Sequence, residues 1–280
     1  MTMSKIIRTY HIPSGRHLMT LKDKVCIVTG SATGVGAAAA IRLAERGAHV
    51  VVNYTKSERE AQETKAQCEA KGAQAILARG DVSSDEACRA IVQAAADKWG
   101  RVDVLVNNAG STKFAAHNDL DALTADDFLW IYKVNVVGAY QMIRACAPHM
   151  KKTGKGSVVN VSSIAGITGI GSSVAYAASK GALNTMTKSL ARALGPEIRI
   201  NAVCPGFVGT RWFSDRFDEK AFQNMVTEQE RITPLKRAGT AEDIATAIVF
   251  FAGEGSDHIT GETLLTDAGL HLGFAPSSLR

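Results

Sequence analysis

From Leu21 onward, short apolar runs alternate with stretches that carry a helical repeat, and small or polar residues close each run. The runs fall at 25–28, 49–53, 73–79, 102–106, 157–162, 198–204 and 263–266. Most are apolar on both alternating faces, as expected of strands covered from two sides. The stretches between them stop at glycine, and two begin with a capping serine: 37–46 before Gly47, 57–71 before Gly72, 84–99 before Gly100. Strand–helix alternation with short connections implies a parallel sheet joined by right-handed crossovers, with helices on both faces. Ligands on such α/β sheets bind outside the carboxyl ends of the strands, where the strand order reverses. Gly30, Asn53, Asp81, Asn107 and Ser163 all fall at expected strand ends.

The first run leads into Thr29-Gly30-Ser31-Ala32-Thr33-Gly34-Val35-Gly36, and a helix follows. Glycine permits a tight turn and close approach to a ligand. The helix start offers free N–H groups and partial positive charge to a phosphate. The Gly-x-x-x-Gly-x-Gly spacing in a strand–turn–helix setting therefore points to a pyrophosphate site. In dinucleotide folds an acid ending the second strand holds the ribose hydroxyls. Here that end reads Asn53-Tyr54-Thr55-Lys56-Ser57, without an acid. Lys56, with the hydroxyls of Thr55 and Ser57, could receive a 2′-phosphate, which favours NADP(H) and leaves NAD(H) possible. Ser57 also fits a helix N-cap. Asp81 could meet an adenine amino group or cap its own loop.

Tyr176 and Lys180 stand four apart on an expected helix, hence on one face. Ser163 follows the fifth run closely. An ammonium beside a phenol favours the phenolate and is expected to lower the tyrosine's pKa. Such a phenol can exchange a proton with an alcohol or carbonyl oxygen. By itself the pair also fits an exposed helical contact. Residues 124–150 read as one long helix, with Thr124 and Asp127 forming a capping box. Asn135 sits inside it among apolar neighbours and needs a partner for its amide, either internal or as a relay near the site.

The chain of 280 residues suits one catalytic domain over 21–280, preceded by an extension over 1–20 that is expected to be flexible. The segment 211–237 is the least patterned part. Its aromatics Trp212, Phe213, Phe217 and Phe222 fit either a cover over the cleft or core packing. The net charge is +5, of which Lys5, Arg8 and Arg16 supply three in a segment without acids. The remainder makes no electrostatic case for nucleic acid. No apolar run reaches the length of a membrane span. The five cysteines, at 26, 68, 88, 146 and 204, form neither Cys-x-x-Cys pairs nor a metal spacing. Cys26 and Cys204, in apolar runs, read as buried thiols; a reducing, cytoplasmic setting is expected, and no metal is expected.

The ordered set Thr29-Gly30-x-x-x-Gly34-x-Gly36, Asn107-Asn108-Ala109-Gly110, Asn135, Ser163, Tyr176-x-x-x-Lys180 and Pro205-Gly206 resembles the short-chain dehydrogenase/reductase family over roughly 21–273. The resemblance implies a Rossmann-like, doubly wound sheet of seven strands in the order 3-2-1-4-5-6-7. It also implies hydride transfer with a nicotinamide dinucleotide and a small carbonyl or alcohol substrate. Carried over by position, Tyr176 is the general acid or base, and Lys180 lowers its pKa and holds the nicotinamide ribose. Ser163 holds the substrate oxygen, and Asn135 helps hold a water leading from Lys180. Gly30, Gly34 and Gly36 would approach the pyrophosphate, Asp81 and Val82 would flank the adenine, and Asn108 would lie along the ribose, with Thr33, Val35, Ala109 and Gly110 among the other cofactor-binding residues. Pro205, Gly206, Val208 and Thr210 would lie near the nicotinamide. The resemblance further implies a homodimer or homotetramer built on the 124–150 and 176–195 helices. Relatives of similar appearance include 3-oxoacyl-[acyl-carrier-protein] reductases and NADP-using sugar and small-alcohol dehydrogenases. A non-catalytic dinucleotide sensor is the alternative outside enzymes, although such a sensor would have no need of Tyr176 as a proton donor.

Overall fold

The structure, a computed structural model, describes residues 20–273. All of the expected N-terminal extension except Thr20 lies outside them. Seven strands form one parallel sheet: β1 (Val25–Val28), β2 (His49–Tyr54), β3 (Ala75–Arg79), β4 (Val104–Asn107), β5 (Gly156–Val161), β6 (Ile198–Pro205) and β7 (Thr263–Thr266). Their order is β3-β2-β1-β4-β5-β6-β7, as expected. The chain begins at the centre, runs out to β3, then returns to the other side of β1. The reversal between β1 and β4 opens the crevice in which such sheets take ligands.

Strand alternation divides the core into two layers. Cys26, Val28, Val50 and Val52 face α1 (Gly34–Glu45) and α10 (Ala241–Ala252), where Leu43, Ile244 and Phe251 are buried. Val25, Ile27 and Leu105 face α3 (Asp85–Trp99) and α5 (Ala139–Thr153), where Ile91, Met142 and Met150 are buried. The remaining helices are α2 (Glu58–Ala70), α4 (Ala125–Tyr132), the short α6 (Ala165–Thr168), α7 (Val174–Leu194), α8 (Arg211–Ser214) and α9 (Glu219–Ile232). All five cysteines are free and buried. Among the described residues no helix is long and apolar enough to cross a membrane. No cluster there could hold a metal.

The structure refines the expectations in several places. The third strand starts at Ala75, and the fourth spans Val104–Asn107, so Asn107 belongs to the sheet. The 124–150 helix is broken into α4, a π-helical turn over Lys133–Gly138, and α5. Asn135 lies in that turn. Ser57 occupies the N-cap position of α2, but its side chain makes no capping bond. The 211–237 segment folds into α8 and α9, neither of which buries a residue fully. Its aromatics are therefore not core residues.

Candidate active site

One cleft of about 1220 Å³ runs along the carboxyl ends of the strands. Nearly every residue singled out from the sequence lines it; Gly36, Ser57 and Asn135 do not. At its first end the β1–α1 turn has the shape of an anion cradle. Gly30 and Gly34 both take φ +60, the left-handed region that favours glycine. Thr33 contributes no side-chain cap, and the first turn of α1 carries no acid. Its N–H groups therefore keep their capacity for an anion. Gly36 acts behind the surface: a Cβ there would meet the Asn108 Nδ2 and the Gly30 carbonyl oxygen at 2.5 Å. The cradle thus fits a dinucleotide's pyrophosphate.

Asn53 is buried and already engaged. Its Oδ1 accepts the Gly30 N–H at 3.0 Å, and its Nδ2 donates to the carbonyls of Ala78 and Gly80 at 3.0 Å. It holds the glycine turn in place. Thr55 and Lys56 are exposed on the cleft rim beside Tyr54. Asp81 lines the cleft and also accepts the Ser83 N–H at 2.8 Å, so it does cap its own loop. Asn108 donates from Nδ2 to the Thr29 and Gly30 carbonyls at 3.0 Å, tying β4 to the glycine turn.

At the centre, β5 delivers Ser163 and α7 delivers Tyr176 and Lys180. Ser173 caps α7 by accepting the Tyr176 N–H at 3.3 Å. Ser162 donates to the Lys180 carbonyl at 3.2 Å, which locks α7 against the end of β5. Lys180 is buried; its Nζ donates to the Val161 carbonyl at 2.8 Å and lies 5.6 Å from the Tyr176 ring centroid. Burial pulls the lysine's pKa down to about 8. Burial of the phenol pushes Tyr176 up to about 12, opposed by a hydrogen bond with Ser163. The expected lowering of the Tyr176 pKa by Lys180 is therefore corrected. The ammonium is directed at a backbone carbonyl, and loss of solvent around the phenol outweighs the lowering by the Ser163 hydrogen bond.

Asn135 is satisfied within the protein. Its Oδ1 accepts the Ser111 N–H at 2.7 Å, and its Nδ2 donates to the Ser111 carbonyl at 3.0 Å and to the Ser179 Oγ at 2.9 Å. It joins the loop after β4 to the residue preceding Lys180. Its Oδ1 also lies near Gly110, as does the Lys180 Nζ. The π turn places this amide where an unbroken α-helix would have rotated it away.

The far end of the cleft is aromatic. Phe114 stands edge-on to Phe213 and Phe217, with centroids 6.1 and 5.2 Å away, and Trp212 lies 6.0 Å from Tyr176. Sequence reasoning missed Ser111, Phe114, Trp130 and Arg216. Ser111 follows Asn-Asn-Ala-Gly directly, and Phe114 is a lone aromatic between strand and helix. Either could have been flagged by position, whereas nothing local marks Arg216.

A sequence-family profile described as enoyl-(acyl carrier protein) reductase matches residues 30–271. The L-rhamnose 1-dehydrogenase (NAD(P)(+)) of a Sphingomonas species is 39% identical over 90% of this chain and 98% of its own length. The 3-oxoacyl-[acyl-carrier-protein] reductase of Thermotoga maritima is 37% identical over 90% of this chain and 99% of its own. A crystal structure from Burkholderia xenovorans, assigned to the short-chain dehydrogenase/reductases, superposes with a TM-score of 0.83 at 40% identity, covering 90% of this chain and 99% of that one. With the sheet order, the glycine turn and the Ser163–Tyr176–Lys180 group, these likenesses establish that the chain belongs to the short-chain dehydrogenase/reductase family of oxidoreductases.

Proposed function

We propose that the protein interconverts a carbonyl and a secondary alcohol by hydride transfer, with NADP(H) favoured over NAD(H) and Tyr176 as general acid and base. The observation that carries this reading is the meeting of Ser163, Tyr176 and Lys180 in the cleft that also holds the glycine cradle. A bound nicotinamide dinucleotide would supply or accept the hydride. In reduction, Tyr176 gives its phenolic proton to the substrate oxygen. With its pKa near 12 the phenol is protonated at neutral pH, as that role requires. Ser163 donates a second hydrogen bond to the same oxygen, orienting it and stabilising developing charge. Lys180 compensates the phenolate left behind and returns its proton. Asn135 positions Lys180 through Ser179. Oxidation runs these steps backwards.

The cofactor preference rests on the β2 end, where no carboxylate stands and Lys56 lies beside the Thr55 hydroxyl. The exposed Leu129, Trp130, Val137 and Tyr140 along α4–α5 support the homodimer or homotetramer reading.

The test is NADPH oxidation against a carbonyl panel that includes an acyl-carrier-bound 3-ketone. Tyr176→Phe is expected to cut turnover by ~10²–10⁴. Equal rates for both proteins on every substrate would overturn the catalytic reading, and a higher kcat/KM with NADH than with NADPH would overturn the cofactor preference.

A further inference from the structure

The aromatic end of the cleft differs in kind from the dinucleotide end. Around Tyr176 its walls are Phe114, Phe207, Trp212, Phe213 and Phe217, with Ile170 beside them. Two of the hydroxyls there already have side-chain partners. Ser172 Oγ pairs with Thr112 Oγ1 at 2.6 Å, and Ser111 Oγ accepts the Trp130 indole N–H at 3.1 Å. No carboxylate, amide or imidazole side chain lines this end among the described residues. A polyol would bring several hydroxyls into it and leave most of them without partners, which is costly.

Besides the buried Lys180, two exposed cations line it, Arg211 and Arg216, and among the described residues only Arg211 is ion-paired. Arg216 sits with its guanidinium 5.0 Å from the Trp212 ring centroid and 5.7 Å from that of Phe114. The other arginines of the same segment are all occupied. Arg211 pairs with Glu60 and Asp215, Arg231 with Glu228, and Arg237 with Asp243. Among the described residues no carboxylate lies within ion-pair reach of Arg216. Its one hydrogen bond goes from Nη1 to the Trp212 carbonyl at 2.6 Å, leaving most of its fork of donors free. The guanidinium lies over both rings, and the Trp212 ring neighbours both it and the Tyr176 phenol.

We infer that the natural substrate is a largely apolar carbonyl or alcohol with an anionic group, such as a carboxylate, remote from the reacting carbon, and that Arg216 receives that anion. The inference deepens the proposed carbonyl–alcohol chemistry and rests on it. The rings bury the apolar body and Ser163 and Tyr176 take the reacting oxygen. Arg216 then fixes which end of the molecule enters first.

The experiment compares 4-(4-oxocyclohexyl)benzoate, its primary carboxamide and an aldose, using NADPH and the full-length protein. The acid is expected to exceed the amide in kcat/KM by about tenfold, chiefly through KM. Raising the salt concentration should narrow that margin, because the anion site is exposed. Arg216→Gln should make acid and amide equal, and Arg216→Lys should restore part of the preference. Equal kcat/KM for acid and amide in the wild type, a parallel loss for both in Arg216→Gln, or a preference for the aldose would each overturn the inference. A parallel loss would mean that Arg216 only staples the two rings. Binding of acid and amide to the NADP+-loaded protein, read by Trp fluorescence, measures the same preference without turnover. If Tyr176→Phe matches the wild type on every ketone, the proposed chemistry fails. If Tyr176→Phe is inactive but acid and amide bind equally, only the substrate assignment fails.

Discussion

The cleft has a floor and a cover, and they are built in opposite ways. The floor is the carboxyl edge of β1, β4 and β5 with the start of α7. Its polar groups are buried and tied across the sheet: Asn107 donates to Asn160, and Asn160 to Thr187, at 2.9 and 2.8 Å. The cover, 211–237, buries none of its helical residues fully and is attached by exposed ion pairs and half-buried aromatic edges. Groups that must be placed to a fraction of an ångström stand on the rigid part. In the proposed reading, the groups that would choose among substrates stand on the segment whose helices bury no residue fully.

The largest effect is expected where the floor has no slack. At Gly166 an added Cβ would lie 2.5 Å from the Lys180 carbonyl carbon and 2.7 Å from the Gly181 nitrogen, both in the backbone of α7. Gly166→Val must therefore push α7 away, and Tyr176 and Lys180 with it. Destabilisation above about 3 kcal/mol is expected in chemical denaturation. Turnover should fall by about 10²-fold or more, since a shift of an ångström suffices. By contrast, Phe213→Val in the cover should alter KM and leave the denaturation midpoint almost unchanged. If both variants lost stability equally, the cover would be part of the core.

A smaller and pH-dependent effect is expected at Lys180. Its folded pKa, about 8, lies below the ordinary lysine value of 10.5. Below pH 8 folded and unfolded chains both hold the proton, and the folded chain bears the cost of a buried charge. Between about 8 and 10.5 the unfolded chain binds more protons, so stability rises with pH. The full span is on the order of 3 kcal/mol. Lys180→Met removes the charge, with some loss because the Val161 carbonyl then lacks its donor. The Tm advantage of Lys180→Met over wild type should therefore shrink between pH 7 and pH 9.5, measured without added cofactor. A constant difference would mean that the ammonium is not desolvated by the floor.

How much could be read beforehand follows the same division. The sheet, the glycine turn and the Tyr176–Lys180 pair depend on neighbours a few residues apart, so patterning and spacing expose them. The Tyr176 pKa went the other way because burial of the phenol dominates, opposed only by the Ser163 hydrogen bond, and burial is not local. Asn135 finds Ser111 and Ser179 across 24 and 44 residues, and the π turn that aims it has no signal in composition. Arg216 meets Phe114 only because the chain returns over its own cleft. The floor is legible where local rules made it. The cover is not, since its specificity lies in contacts between distant segments.

The smallest effect tests what holds the cover down. Arg211 in α8 reaches Glu60 in α2 at 3.1 Å, bridging the cover to the helix that follows the β2 end. Exposed pairs of this kind contribute little to global stability, so Glu60→Gln should leave Tm unchanged within error. It should still raise the fraction of time the cover is open. Proteolysis reads that population when opening is fast relative to cleavage. Limited trypsin should therefore nick at Arg216 or Lys220 a few-fold faster in Glu60→Gln, with the sheet domain surviving. The control is Glu63→Gln, which removes a more exposed pair with Arg59 inside α2 and touches nothing in the cover. Equal nicking rates for the two variants would show that the aromatic edges alone seat the cover. The apolar end of the cleft would then both grip the substrate and close over it.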